Sequence, residues 1–542
     1  MRAKASATLL FMLFLMNGCS GEGTGYAPPD PVLLANVTVS GSVTYEDREY
    51  GTGGYTGSVL TKAVRYARVE VVDPFTNHTM ATTGTDASGA YSVVFNSTSI
   101  AGYVRVYSST GTGPGPLAEV IGTTGGIYAA AGTVLPFSES GAFLYNAAIT
   151  NANPVAGAFN ILDVLVSGAG FANALSGSYP PALRAVWAPT SPKGTYYCTE
   201  FDYADCNLGE AIYLIGLYND DSDTFDDDVI WHEYAHFLAN HFSRDDSPGG
   251  FHSFDDIPQD LRLSWSEGWA DHFTGAIKRW LRATDPSLLS TEASVNPEVY
   301  VDNLMTGAPN WIDMSDPGDT EPYLYATNEV SVAKMLLDIG DVFGGSQLTW
   351  DVFAAMNASS AVSSLEMFWD SWLDTKGVAN LPEVHAALAN REVHYEEDAY
   401  EAAPGDDLPD PARLIALNTA ETHYLYKDDG SGDIDVLAFD ALAGGVYNVE
   451  TYCMKNGGDT LLRILDSDGF TVLSENDDRS YLDNYECATD GYTGYSSYIG
   501  NFVPAISNTY YIEVRANPKP CYLTSCTHTG SYGTYKVIVN GP

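Results

Sequence analysis

Residues 227–242 read DDVIWHEYAHFLANHF, and residues 264–281 read SWSEGWADHFTGAIKRWL. Both stretches predict helices. The first is led in by Asp residues, which suit the positive end of a helix dipole. His232 and His236 stand four residues apart, so both imidazoles project from one face and can share one metal ion. Glu233 points to the neighbouring edge of that face. A carboxylate there can take a proton from a water attacking a carbonyl and return it to the leaving amine.

Two histidines do not complete a catalytic zinc site, which takes three protein ligands and keeps an open position. The metzincin pattern needs Gly at position 239 and His at 242. The chain has Ala239 and Phe242, which excludes that class. The second helix offers Glu267 as the third ligand. Asp271 lies one turn on, on the same face, where it can hold a ligand imidazole in one tautomer. Trp265, Trp269 and Phe273 crowd this helix. Burial is therefore expected, and unpaired carboxylates there would be costly.

HEYAH followed by SEGWADHF is similar to the gluzincin peptidases, with the HExxH…ExxxD arrangement of thermolysin. It looks most like the fungalysin-type branch, in which an HEYxH helix precedes an EGW-x-D helix. The resemblance implies His232, His236 and Glu267 as zinc ligands, Glu233 as general base, and Asp271 behind a ligand imidazole. The spacing from His236 to Glu267 is longer than in thermolysin. The extra segment includes DDSPGGFHSFDD (245–256), expected to form a loop over the site. Its His252 is a rival ligand, a substrate contact or a plain loop residue. Gluzincins also use a later His or Tyr to stabilise an oxyanion. The fungalysin-like pattern puts a His four residues before the Glu that opens the next helix. Here that Glu is Glu329 and the matching residue is Tyr325, with Tyr323 as competitor and packing roles for both as the alternative. The apolar strand Ile212–Ile215 precedes the metal helix and is expected to be the edge strand that pairs with an extended peptide.

The whole chain has 542 residues, with 70 acidic and 25 basic side chains and a net charge of −45. Such a surface repels phosphate backbones and excludes nucleic acid as a partner. The length calls for several domains. At the start, Arg2 and Lys4 precede an apolar run, ASATLLFMLFLM (5–16), too short to span a bilayer comfortably. Met16-Asn17-Gly18-Cys19-Ser20 resembles the lipobox of bacterial lipoproteins, although Asn17 departs from its usual small residue. The resemblance implies cleavage after residue 18, lipidation of Cys19, and an exported chain held at the outer membrane or cell surface. The lipid is the only membrane contact expected. Six of the seven cysteines remain after Cys19. In an oxidising compartment they read as disulfides. Short spacing favours Cys198–Cys206 and Cys521–Cys526, leaving Cys453–Cys487.

Residues 19–36 form a tether. Alternating stretches follow: VTVSGSVTY (37–45), ARVEVVD (67–73), TTGTDASGAYSVVF (82–95) and YVRVYSS (103–109). This region, 37–148, resembles the carboxypeptidase regulatory-like β-sandwich. Residues 149–400 hold the predicted helices and form the peptidase-like unit. Residues 401–415 have linker composition. Residues 416–542 resemble the bacterial pre-peptidase C-terminal domain, on Asp433-Ile434-Asp435-Val436-Leu437-Ala438-Phe439, Gly458-Asp459-Thr460-Leu461-Leu462, Glu475-Asn476-Asp477-Asp478 and Thr509-Tyr510-Tyr511-Ile512-Glu513-Val514. The expected fold is multidomain: an α+β zincin-type, thermolysin-like catalytic domain flanked by N- and C-terminal all-β sandwiches.

These readings together predict an extracellular zinc endopeptidase acting on proteins or peptides. The alternative is a surface binding or adhesion protein that keeps the peptidase core as a scaffold. A scaffold has no physical need to keep His232, Glu233, His236, Glu267 and Asp271 together. Structural Ca²⁺ is a further expectation. Asp220-Asp221-Ser222-Asp223 and Asp226-Asp227-Asp228 offer oxygen ligands near the first helix, and Asp459, Asp477 and Asp478 offer them near the C-terminus. No EF-hand pattern is present.

Overall fold

The structure, a computed structural model, describes residues 35–542 other than 112, 138–139, 193, 200–205, 217–220, 306–307, 318–321, 402–405, 410–411, 427–431, 480–494 and 519–529. The expected signal segment, Cys19, nearly all of the tether, Asp220, Cys487, Cys521 and Cys526 lie outside the described residues. The chain is multidomain, with several β-sheets and eight α-helices among the described residues.

The N-terminal part has β-sandwich character. Its longest strand, Ala35–Gly51, alternates inward valines with outward polar residues, and Val37, Val39 and Val43 are fully buried. The first half of this strand pairs with Ala90–Ser97 and Gly141–Leu144, the second half with Gly54–Ala63 and Ala147–Ile149. A second sheet of Thr79–Gly84, Ala67–Val72, Ala101–Thr110 and Ala129–Pro136 contributes Val69, Val71, Val104 and Val106 to the same core.

That second sheet runs across the expected boundary at 148/149. Through Ser109↔Glu119 it joins Ala118–Ile121, and then Leu183–Trp187, Ala211–Leu214 and Tyr196–Cys198. One hydrophobic core extends from Val37 to Trp369 and Tyr426. The expectation for Ile212–Ile215 needs correction. The strand Ala211–Leu214 is interior, parallel to Leu183–Trp187 on one side and antiparallel to Tyr196–Cys198 on the other. Its side chains are buried on both faces, as in a central strand. Among the described residues the last strand on this side of the sheet is Tyr196–Cys198, whose last residue is tied to Cys206 by a disulfide with Cα atoms 6.0 Å apart. Cys453 is also disulfide-bonded.

Helix α1 (Ala156–Ser176) is long and apolar enough to cross a membrane, yet it is a core helix, buried through most of its length. Its Gly168 lets α2 (Asp227–Phe242) come close: a Cβ there would lie 2.8 Å from the Tyr234 ring. Helix α3 (Leu261–Thr284) starts earlier than its apolar pattern suggests, because the Asp260 carboxylate accepts from the Arg262 amide at its N-terminus. A short α4 (Thr291–Val295) follows. Asn328 caps α5 (Glu329–Val342) by accepting from the Ser331 amide. Helices α6 (Gln347–Ala355), α7 (Leu365–Lys376) and α8 (Leu381–Ala389) complete the unit. Trp269 of α3 stacks on Phe353 of α6 with ring centroids 3.6 Å apart.

The C-terminal part is a second pair of sheets around its own core of Leu437, Phe439, Ile512, Tyr535 and Val537. Arg413–Leu414, within the expected linker, is an edge strand of this sandwich. The sandwich is fixed to α7, where the Glu366 carboxylate accepts from the amides of Ser531 and Tyr532 at 3.1 and 2.8 Å. Trp369 Nε1 donates to Tyr426 Oη at 2.8 Å.

Gly268 sets how closely α3 meets α5. A Cβ there would lie 2.6 Å from both the Glu329 carbonyl oxygen and Val332 Cβ. Gly268→Ala should therefore cost about 1–3 kcal/mol, read as a lower denaturation midpoint. Gly170→Ala meets only the far edge of Trp280 at 3.5 Å. It should be neutral or stabilise by up to about 1 kcal/mol through helix propensity. Equal losses in both variants would contradict this account of the α3–α5 contact.

Candidate metal centre

Helix α2 is built to present its two imidazoles. Asp226 caps it by accepting from the Val229 amide, and Asp227 and Asp228 occupy the first turn. Helix α3 brings Glu267 opposite. Glu267 Oε2 lies 3.0 Å from His232 Nε2 and 3.2 Å from His236 Nε2, and the two nitrogens are 3.3 Å apart. Zinc bonded tetrahedrally at about 2.0–2.1 Å sets its donors about 3.3 Å apart. The triangle of donor atoms and the two-nitrogen, one-carboxylate set both fit zinc.

The outer side of each imidazole is held. His232 Nδ1 lies 2.9 Å from Asp271 Oδ1. A carboxylate only accepts, so the proton sits on Nδ1 and the Nε2 lone pair faces Glu267 once the ring is neutral. His236 Nδ1 lies 3.2 Å from Ser266 Oγ, whose hydroxyl donates to Asp245 Oδ2 at 2.8 Å. That relay orients the second ring in the same sense. Ser266 and Asp245 were not singled out in the sequence. Ser266 stands directly before Glu267, whereas nothing in the sequence marks Asp245.

The electrostatics follow from crowding in a low-dielectric site. Burial pushes the His232 imidazole down, but hydrogen bonds to Asp271 and Glu267 outweigh it and raise it to about 10. Burial favours protonated Glu267, and the charge of His236 with hydrogen bonds from both rings reverses this, holding it well below the usual carboxylate range. Glu233 lines the cleft without such partners. Burial raises its carboxyl against the opposing pull of His236 and His232.

The donor triangle lies in a cleft of about 920 Å³. Ser247 and the stretch 249–255 line one side of it, and 194–199, including the edge strand, line another. His252 Nε2 is 3.6 Å from Glu267 Oε2, and its Nδ1 is 2.9 Å from Glu329 Oε2. Glu329 also accepts from Gln259 Nε2 at 2.7 Å. His252 thus stands beside the triangle, anchored from behind by α5.

The two tyrosines part company. Tyr323 lines the cleft and donates to Asp255 Oδ1 at 2.7 Å. Tyr325 does not line the cleft. It is buried with a backbone φ of 75°, its amide donates to the Arg391 carbonyl, and Lys455 Nζ lies 4.8 Å from its ring centroid. The structure therefore turns Tyr325 toward the C-terminal sandwich, while His252 and Tyr323 both line the cleft.

Beneath the triangle, Lys278 of α3 and Asp228 of α2 form a buried ion pair at 2.8 Å. The Lys278 ammonium also donates to the Val299 carbonyl at 2.6 Å. Asp228 accepts from the Val301 amide at 3.0 Å and from the Tyr50 hydroxyl at 3.1 Å. Among the described residues four other carboxylate-rich groups gather outside the triangle: Asp221 with Asp223 and Asp302, Asp459 with Asp477 and Asp478, Asp398 with Asp406 and His423, and Glu401 with Asp433 and Asp435. The last two groups were not anticipated from the sequence.

No protein-family model matches the chain, and no curated protein matches it. Among solved structures, the pre-peptidase C-terminal domain of collagenase from Bacillus anthracis is 18% identical, with a TM-score of 0.17, over 24% of this chain and 94% of that one. PliG of Aeromonas hydrophila, a periplasmic inhibitor of g-type lysozyme, is 8% identical, with a TM-score of 0.14, over 24% of this chain and 96% of that one. Likenesses at these TM-scores carry no argument about activity.

Removing one partner of a buried pair leaves an uncompensated charge. Lys278→Met should destabilise the chain by about 3–5 kcal/mol in a denaturant titration. Double replacement by Lys278→Met and Asp228→Asn should recover part of that loss. A single variant as stable as the parent would remove the pair from the structural account.

Proposed function

We propose that the chain is a zinc-dependent endopeptidase of the gluzincin type, exported and anchored by a lipid on Cys19, cutting proteins or peptides outside the cell. The observation that carries this reading is the convergence of His232, His236 and Glu267 at the floor of an open cleft, with Asp271 behind the first imidazole and Glu233 on the cleft wall. The resemblance of HEYAH and SEGWADHF to the fungalysin-type branch supports it. Under the same reading the flanking β units are a regulatory-like sandwich and a pre-peptidase C-terminal domain.

His232, His236 and Glu267 would hold the zinc ion, which would supply Lewis acidity to the scissile carbonyl and the attacking water. The remaining work belongs to the chain. Glu233, its carboxyl raised by burial, accepts the proton as water attacks and delivers it to the leaving amine. Asp271 and the Ser266–Asp245 relay keep the two imidazoles in their ligating orientation. His252, whose Nε2 lies 3.6 Å from Glu267 Oε2, is the donor placed beside the triangle for the developing oxyanion. The substrate backbone runs in the cleft beside Tyr196–Cys198, which lines it.

Casein hydrolysis should disappear in the presence of a zinc chelator and return when zinc is restored. Glu233→Gln should lose nearly all turnover while binding zinc normally. Activity that survives both treatments would remove this mechanism. One stoichiometric zinc without hydrolysis of any protein would favour a surface binding protein on a peptidase scaffold.

Zinc uptake should also be coupled to protons. Without metal, His232 is raised to about 10, so at neutral pH it carries a proton that zinc must displace. Apparent zinc affinity should therefore fall as pH drops from about 8 to about 6, and calorimetry in buffers of different ionisation enthalpy should detect proton release. Asp271→Ala should weaken zinc by about 10–100-fold in a competition titration. A pH-independent affinity, unchanged in Asp271→Ala, would contradict the assigned role of Asp271.

A further inference from the structure

Beside the metal triangle the cleft wall carries a second set of oxygen donors that the peptidase reading does not use. Asp221 and Asp223 lie between the strand Ala211–Leu214 and α2, and Asp302 ends the strand Val299–Asp302. One carboxylate oxygen from each lies within 4.8 Å of the others. All three line the cleft that also holds Glu233.

Asp223 makes this more than an acidic turn. It is 2% exposed. One of its oxygens accepts from the Thr195 hydroxyl, and Oδ1 is buried without any hydrogen-bond donor. One of its carboxylate oxygens lies within 4.8 Å of an oxygen of Asp221 and of Asp302, and the charges of Asp221, Asp302 and Glu233 act on it in that order. Asp302 accepts from the amide and side chain of its own neighbour Asn303. Asp226, also fully buried, adds a further oxygen without a donor, and the charges of Asp223 and Asp302 act on it most strongly. Among the described residues, neither Asp223, Asp226 nor Asp302 makes an ion pair with Lys or Arg. A buried carboxylate oxygen left without a hydrogen-bond donor is strongly unfavourable. Burial and these like charges raise Asp223 and Asp226 well above the usual range and push Asp302 up to about 6.

We propose that Asp221, Asp223 and Asp302 bind one Ca²⁺ in the wall of the cleft, separate from the His232–His236–Glu267 triangle. An all-oxygen set selects a hard cation over zinc. Calcium–oxygen distances of about 2.3–2.6 Å suit carboxylate oxygens that lie within 4.8 Å of one another. Three carboxylates leave coordination positions open toward the cleft, where solvent can fill them. The ion joins the segment entering α2 to the strand whose Val299 carbonyl accepts from Lys278, and so braces both metal-bearing helices. It also offsets negative charge felt by Glu233 and His232.

The test uses the zinc-loaded full chain carrying Glu233→Gln, which prevents self-digestion. Bound Ca²⁺ is counted by equilibrium dialysis in this parent and in Asp223→Asn and Asp302→Asn, with zinc content measured in every sample. The expected result is a loss of one Ca²⁺ per chain in either variant with zinc unchanged, and a smaller rise in melting temperature on adding Ca²⁺. Asp302 is only partly buried, so Asp302→Asn remains informative if Asp223→Asn does not fold. Unchanged Ca²⁺ stoichiometry in a folded variant overturns the proposal. So does the opposite pattern, in which no Ca²⁺ is lost but otherwise wild-type enzyme carrying Asp302→Asn stops preferring peptides with Lys or Arg, since the cluster would then hold a substrate side chain. Because zinc content is read separately, loss of the zinc reading and loss of the calcium proposal give different results.

Discussion

Helices α2 and α3 must meet at a fixed depth and rotation, because the three donor atoms come from both. The Asp228–Lys278 pair imposes that constraint from within. Both side chains are out of water, and each has further partners: the Val299 carbonyl for the ammonium, the Val301 amide and Tyr50 hydroxyl for the carboxylate. A pair satisfied in this way has one good geometry and a steep cost for any other. It fixes α2 one turn before His232 and α3 three turns after Glu267. Tyr50 also brings the N-terminal strand Ala35–Gly51 into the same arrangement, so the β-rich part and the helices are held by one network as well as one core.

Close packing supplies the other half of the constraint. Gly168 admits the Tyr234 ring between α1 and α2, and Gly268 admits the Glu329 carbonyl between α3 and α5. The aromatic layer of Trp265, Trp269, Phe353 and Phe368 fills the side of α3 away from the cleft. A donor triangle with edges of 3.0 to 3.3 Å needs that rigidity, because a small shift of α3 separates Glu267 from both imidazoles.

The sequence made some of this legible and hid the rest for physical reasons. Helix α2 is found where its pattern places it, since its capping Asp and apolar spacing are local signals. Helix α3 starts three residues before its apolar pattern predicts, because the Asp260 cap precedes that run. Ile212–Ile215 read as a strand correctly, but four apolar residues do not reveal how many neighbours a strand has. At three residues, the Tyr196–Cys198 edge is too short to stand out. Tyr325 was matched by its distance from Glu329 alone, and the left-handed backbone that turns it away leaves no mark in the sequence. His252 stands out in the sequence, but its approach to Glu267 depends on Gln259 and α5 holding Glu329 beneath it. The sheet crossing 148/149 hinges on Ala118–Ile121, four residues without a signature of their own.

The central claim is that His232, His236 and Glu267 together hold zinc. An X-ray absorption spectrum at the zinc edge of the purified full chain tests it most directly. The account predicts one zinc per chain with two imidazole nitrogens and a carboxylate oxygen at roughly 2.0–2.2 Å. A sulfur shell near about 2.3 Å, three imidazoles in place of two, or no zinc after loading would contradict it.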